Sequence, residues 1–277
     1  MYSLEGKVAL VTGAAGKNGI GRAIAVRLAE EGADIIVNDL IERPGGGADT
    51  WGGLPAVVEE IKAKGRRALS LQADISNSTQ VQSMIDQAIQ VFGGIDILVN
   101  NAGAPAGRDR TLVVDVEEDA WDLVQSVNVK GTFLCSQAVA RTMIKRDLGG
   151  KIINLSSVAG KRGVARYAAY CTSKFAVRGF TQALALELAP HAITVNAICP
   201  VLVDTERVDD MAEALKPDGT ATTAYREELV SRTEMIVPLG RIAQPDDIAR
   251  SAAFLASAEA DYLTGLSLSV SGGYVMD

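Results

Sequence analysis

Residues 8–21 read Val8-Ala-Leu-Val-Thr-Gly13-Ala-Ala-Gly16-Lys-Asn-Gly19-Ile-Gly21, a hydrophobic run that breaks into glycines and continues as the amphipathic stretch 20–31. That order predicts a buried strand, a tight turn and a helix. Glycine lets the backbone turn sharply and approach a pyrophosphate, and the free amides at a helix start then face its negative charge. Gly13, Gly16, Lys17, Asn18, Gly19, Ile20 and Gly21 are therefore candidate contacts to a dinucleotide. A glycine cluster alone is weak evidence; the strand before it and the helix after it supply the context. The next β-branched run, 34–38, leads into Asp39, 18 residues after Gly21. A carboxylate there accepts both hydroxyls of the adenosine ribose and repels a 2'-phosphate, which favours NAD over NADP. Leu40 joins the same candidate set. Lys17 and Arg43 argue the other way, since either reaches a phosphate.

Outward from this stretch, short β-branched runs alternate with amphipathic ones along almost the whole chain. Strands are expected at 8–12, 34–38, 68–72, 95–99, 151–155, 194–198 and 266–270, and helices at 20–31, 56–64, 79–92, 118–146, 167–188 and 245–256. Repeated βα units of this kind predict an α/β fold, a Rossmann-type doubly wound sheet of seven parallel strands in a single domain spanning 1–277. Two segments interrupt the rhythm. Residues 43–54 are glycine-rich and read as a loop after the second strand. Residues 204–237 carry helical pieces at 209–215 and 224–232 and fit no strand; at the carboxyl edge of a parallel sheet they read as a substrate lid or a plain surface excursion.

The 277 residues are 48% hydrophobic and 22% charged, enough to bury a large core and too apolar for disorder. A net charge of -7 offers no general attraction to nucleic acid or to anionic membranes. With no apolar run of membrane-spanning length and a strand beginning near Lys7, a cytoplasmic protein is expected. Cys135, Cys171 and Cys199 are widely spaced and read as packing residues, with neither a disulfide framework nor a thiolate metal site. The single histidine, His191, would have to carry any histidine-based mechanism; after Pro190 it reads as a turn residue.

Tyr170 and Lys174 stand at i and i+4 and share one helix face. A tyrosine with a pKa of about 10 is a poor base near neutrality, but an adjacent ammonium favours the phenolate. Ser157, 13 residues before Tyr170, follows the strand 151–155, where the sheet edge presents its hydroxyl to a substrate oxygen. Taken singly, a tyrosine is usually packing, a lysine solvated and a serine a cap; their order on a dinucleotide-binding sheet gives them weight.

The chain resembles the classical short-chain dehydrogenase/reductase family from Lys7 to its end. Thr12-Gly13 through Gly19-Ile-Gly21 is similar to the family's glycine motif, Asn100-Asn-Ala-Gly103 to its fourth-strand motif and Tyr170-Cys-Thr-Ser-Lys174 to its YxxxK site. The resemblance implies that Tyr170 is the general acid or base, that Ser157 hydrogen-bonds the same substrate oxygen, and that Lys174 holds the nicotinamide ribose. Asn128, within Ser126-Val-Asn-Val-Lys-Gly131, would complete a proton relay. It further implies adenine contacts at Asp74 and Ile75, cofactor contacts at Asn101, Ala102 and Gly103, and nicotinamide contacts near Pro200, Val203 and Thr205. No metal is required.

This chain departs from the family pattern in a glycine motif two residues longer, in Val201 where the family usually has glycine after Pro200, and in the long loop 43–54. A β-branched residue does not readily take a positive φ, so Val201 puts the nicotinamide contacts in question. The implied activity is NAD-dependent, reversible hydride transfer between a secondary alcohol (a small polyol, sugar, ketol or cyclic alcohol) and its ketone. The alternatives are an NADPH-dependent 3-oxoacyl-carrier-protein reductase and a catalytically silent dinucleotide sensor. Selectivity should come from residues 104–111, 158–166 and the lid, with Arg108, Lys161, Arg162 and Arg166 as candidate cations in the cleft. The apolar stretch 263–276 is long for an unprotected edge, and with the resemblance it implies a homotetramer.

Overall fold

Five consecutive buried residues form β1, Val8–Thr12, and their side chains divide between two cores. Ala9 and Val11 face one, Val8 and Leu10 the other. The same alternation holds on β2, Asp34–Asp39, and β4, Ile97–Asn100, where Ile36 and Leu98 oppose Ile35, Val37, Ile97 and Val99. A strand covered on both faces needs apolar residues at every position, which explains continuous runs where a half-exposed strand would alternate.

The computed structural model describes residues 2–43 and 51–276. Among these, β1, β2 and β4 are joined by β3, Ala68–Gln72, β5, Gly150–Leu155, β6, Ile193–Pro200, and β7, Ser267–Val270, in one parallel sheet of order β3-β2-β1-β4-β5-β6-β7. All seven expected strands are present. Helices α1, Ile20–Glu30, α2, Leu54–Ala63, and α9, Pro245–Ala256, cover one face. On the other lie α3, Ser78–Phe92, α5, Thr132–Arg146, and α6, Ala168–Leu188. Strand order reverses between β1 and β4, so the loops at their carboxyl ends part and leave a crevice.

The single helix expected over 118–146 is interrupted. Helix α4, Glu118–Gln125, passes into a π-helical stretch, Ser126–Gly131, before α5 begins. Wider turns of this kind admit one extra residue and are frequent at functional sites. Here the stretch contains buried Asn128, whose Oδ1 accepts the Ala104 N–H at 2.9 Å while its Nδ2 donates to Ser173 Oγ at 2.9 Å. Between β6 and α9, the segment expected as a lid forms α7, Arg207–Leu215, and α8, Thr222–Ile236, packed together. Arg226 on α8 ties the pair to the sheet edge, meeting Asp204 at 2.5 Å and Asp209 at 2.9 Å.

Of the glycine-rich loop 43–54, residues 44–50 lie outside the described residues. Its far end does contribute: Trp51 Nε1 donates to the Ala15 carbonyl at 2.7 Å, so the loop braces the glycine turn. All three cysteines are free and buried, as expected of packing residues, and burial pushes the Cys135 thiol up to about 12. His191 sits in a short turn after α6. Among the described residues no helix is long and apolar enough to cross a membrane.

Candidate active site

The turn after β1 is built from its glycines outward. Gly13 has φ 68°, in the left-handed region, and a Cβ there would lie 2.6 Å from Ala102 Cα. Gly21, in the first turn of α1, passes so close that a Cβ would stand 2.3 Å from the Gly13 carbonyl oxygen and 2.6 Å from Asn101 Nδ2. Asn101 clamps the turn, donating from Nδ2 to the carbonyls of Thr12 at 2.9 Å and Gly13 at 2.8 Å. Thr12 Oγ1 in turn accepts the N–H groups of Asn101 and Ala102, each at 3.1 Å. The fourth-strand motif thus positions the glycine turn. Gly21→Ala must push backbone apart; we expect it to lower stability by about 1–3 kcal/mol and to weaken binding of a nicotinamide dinucleotide, measured by thermal unfolding and by titration with NAD and NADP. Unchanged affinity would show that the turn does not carry the dinucleotide.

A cavity of about 680 Å³ opens at the carboxyl edge of the sheet, within the range of small-molecule and cofactor sites. Of the sequence candidates, Gly13, Gly19, Ile20, Asp39, Leu40, Asp74, Ile75, Asn101, Ala102 and Gly103 line it. So do Ser157, Tyr170, Lys174, Pro200, Val203 and Thr205. Gly16, Lys17, Asn18, Gly21 and Asn128 do not line it; Lys17 and Asn18 are exposed, and Asn128 is buried behind Gly103 and Ala104. Val201 is accommodated, because its backbone stays out of the left-handed region that glycine would serve.

The donor set fits a nicotinamide dinucleotide. Asn18 N–H, at the start of α1, already holds an anion: Glu206 Oε1 accepts it at 2.7 Å. Asp39 closes β2 with Oδ2 accepting the Ala15 N–H at 2.9 Å and Oδ1 the Leu40 N–H at 2.8 Å. Burial raises its carboxyl above the ordinary range despite these bonds.

At the centre, Lys174 Nζ donates to the Leu155 carbonyl at 2.8 Å and lies 5.6 Å from the Tyr170 ring centroid. Ser157 sits just past β5, its Oγ accepting the Ala159 N–H at 3.1 Å. Burial pushes the Tyr170 phenol up, but Lys174, Arg207, Arg110 and a hydrogen bond with Ser157 together outweigh it, and the net direction is down. The Lys174 ammonium is pushed down, first by burial. The Asn128 backbone carbonyl accepts the Thr132 hydroxyl at 2.8 Å.

None of the four cations expected in the cleft lines it. Lys161 Nζ donates to the Ser267 carbonyl at 2.6 Å, and Arg162 lies 3.9 Å above the Tyr274 ring. Arg108 is exposed and paired with Glu117 and Asp119, and Arg166 is exposed. Arg110 and Arg207 line the cavity in their place. Both lie in segments expected to set selectivity, Arg110 in residues 104–111 and Arg207 in the first turn of α7 within 204–237, although neither residue was singled out there.

The family profile described as Enoyl-(Acyl carrier protein) reductase matches residues 13–275. A short-chain dehydrogenase/reductase of Armillaria gallica is 40% identical over 273 residues, covering 99% of this chain and 97% of the relative. A 3-oxoacyl-(acyl-carrier-protein) reductase of Staphylococcus aureus is 42% identical over 270 residues, 98% of each chain. Among solved structures, carveol dehydrogenase from Mycobacterium avium in complex with NAD superposes with a TM-score of 0.87 at 32% identity, over 99% of both chains.

Proposed function

Because the chain belongs to the short-chain dehydrogenase/reductase family and is an oxidoreductase of that family, we propose that it oxidises a secondary alcohol reversibly to its ketone with NAD as partner. The observation that carries this reading is the Tyr170 phenol, lowered by surrounding cations and facing the same cavity as Asp39 and the glycine turn. Bound NAD supplies the hydride acceptor. Tyr170 Oη, as phenolate, takes the carbinol proton, and Ser157 Oγ hydrogen-bonds the same oxygen and orients it. Lys174 holds the phenolate by its charge and offers its ammonium to the nicotinamide ribose. Asn128, buried behind Gly103 and Ala104, would complete the proton relay, and Pro200, Val203 and Thr205 would hold the nicotinamide. Asp74 and Ile75 receive the adenine, and the helices of 204–237 close over the substrate.

Asp39 supports NAD over NADP. Asp39→Ala should move the ratio of kcat/KM values toward NADP by about tenfold to a hundredfold, roughly 1.4–3 kcal/mol; an unaltered ratio would remove the ribose contact from the account. The 42% identity to a 3-oxoacyl-(acyl-carrier-protein) reductase favours a second reading, NADPH-dependent reduction of a carrier-bound 3-oxoacyl group. A panel of alcohols, ketones and acyl thioesters, followed by nicotinamide absorbance with both nucleotides, separates the two. Alcohol turnover with NAD supports the first reading and thioester reduction with NADPH alone supports the second. A cytoplasmic homotetramer completes the proposal; exposed Phe133, Phe175 and Leu186 on α5 and α6 support the association.

A further inference from the structure

Two guanidinium groups stand over the Tyr170 ring, and among the described residues only Arg110 has a carboxylate in direct ion-pair contact. Arg110 is 2% exposed and paired with Asp109, and its guanidinium carbon lies 4.4 Å from the Tyr167 ring centroid and 4.6 Å from that of Tyr170. Its buried Nε has no hydrogen-bond partner. Arg207 brings its guanidinium carbon to 5.5 Å from the Tyr170 centroid and donates to the Ala104 carbonyl at 2.5 Å. Among the described residues no carboxylate lies within ion-pair distance of Arg207. The two cations also repel one another. Asp210, one turn along α7, acts on Arg207 from beyond ion-pair distance, so the Arg207 guanidinium faces the cavity without a direct ion pair. The same cavity is lined by the apolar side chains of Leu123, Val164, Met211, Leu229 and Ile236. A charge held against such walls is costly unless it is paired, and a planar guanidinium pairs best with a carboxylate, which it can grip with two parallel hydrogen bonds.

We propose that the alcohol oxidised here carries a carboxylate a few bonds from the carbinol, bound by Arg207, with the rest of a short apolar body lying along Leu229 and Ile236. Arg110 is a positioning residue: stacked on both tyrosines and held by Asp109, it fixes the wall against which the anion sits. The carboxylate takes no part in bond changes; the carbinol proton still passes to Tyr170 Oη and the hydride to NAD. The inference rests on the alcohol–ketone reading of the site and narrows its substrate to hydroxy acids.

The test is a panel of secondary hydroxy acids of various chain lengths, each assayed beside its methyl ester and beside a phosphate monoester of matching length, with NAD and with NADP. The native protein should favour the acid over its ester by about a hundredfold in kcat/KM. Arg207→Met should cut that ratio to below about tenfold, chiefly through the KM of the acid, and Arg207→Lys should restore part of it. Loss of a cation beside Tyr170 acts on both members of a pair, so the ratio isolates the anion contact. Equal turnover of acid and ester by the native protein, or a ratio that survives Arg207→Met, overturns the inference and leaves alcohol oxidation standing. Preference for the phosphate monoester overturns the carboxylate. No turnover anywhere in the panel counts against the alcohol–ketone reading itself.

Discussion

Tyr170→Phe should reduce the proposed alcohol oxidation by about 10²–10⁴-fold, the usual contribution of a positioned acid or base. The substitution removes one oxygen and keeps the ring, so the stacking of Arg110 and the contact with Tyr167, whose centroid lies 6.4 Å away, both persist. Folding and NAD binding should therefore survive. Steady-state rates alongside an NAD titration check both halves: NAD affinity near that of the native protein with activity lost is the expected pair. A variant that keeps more than a tenth of the native rate would move the proton transfer to another group.

Lys174→Met should be nearly as damaging, and it carries a pH signature. The methionine is similar in reach but has no charge, so the phenolate loses the cation that contributes most to stabilising it. Oxidation needs the phenolate, whose fraction grows as pH rises through the phenol pKa. In the native protein that pKa is below the ordinary value, so kcat/KM for oxidation should climb and level off at a correspondingly low pH. Without Lys174 the pKa rises and the climbing limb moves to higher pH. Ketone reduction needs the neutral phenol, so its falling limb should move the same way. The Leu155 carbonyl also loses its donor, at about 1 kcal/mol in stability. A pH profile superimposable on the native one would contradict the assigned partnership.

Much of this was legible because its signals are local. The glycine turn is written in consecutive residues whose backbone must approach another backbone, and the Tyr170–Lys174 pair depends only on helical spacing. Buried strands announce themselves as unbroken apolar runs because both faces are covered. What stayed hidden depends on the distant meeting of segments. The π-helical stretch around Asn128 adds a single residue to a helical period, too small a change to show in the pattern 118–146. Arg108, Lys161, Arg162 and Arg166 are near the motifs in sequence, yet packing turns each of them elsewhere. Arg110 and Arg207 reach the phenol only because the loop after β4 and the start of α7 close over the same edge of the sheet. Val201 looked incompatible by analogy with a glycine, whereas its backbone never needed a positive φ. The loop 43–54 showed no role in sequence, and Trp51 gives its end one through a single bond to Ala15.

Direct titration of the phenol is the decisive measurement. With the six tyrosines isotope-labelled at the ring carbon that bears oxygen, and Tyr170→Phe used to assign the resonance, NMR follows each ionisation in the protein alone. The Tyr170 signal should titrate below the ordinary phenol value of about 10 and move upward in Lys174→Met. A Tyr170 resonance that ionises at or above that value in the native protein, or is indifferent to Lys174, would contradict this reading of the pair.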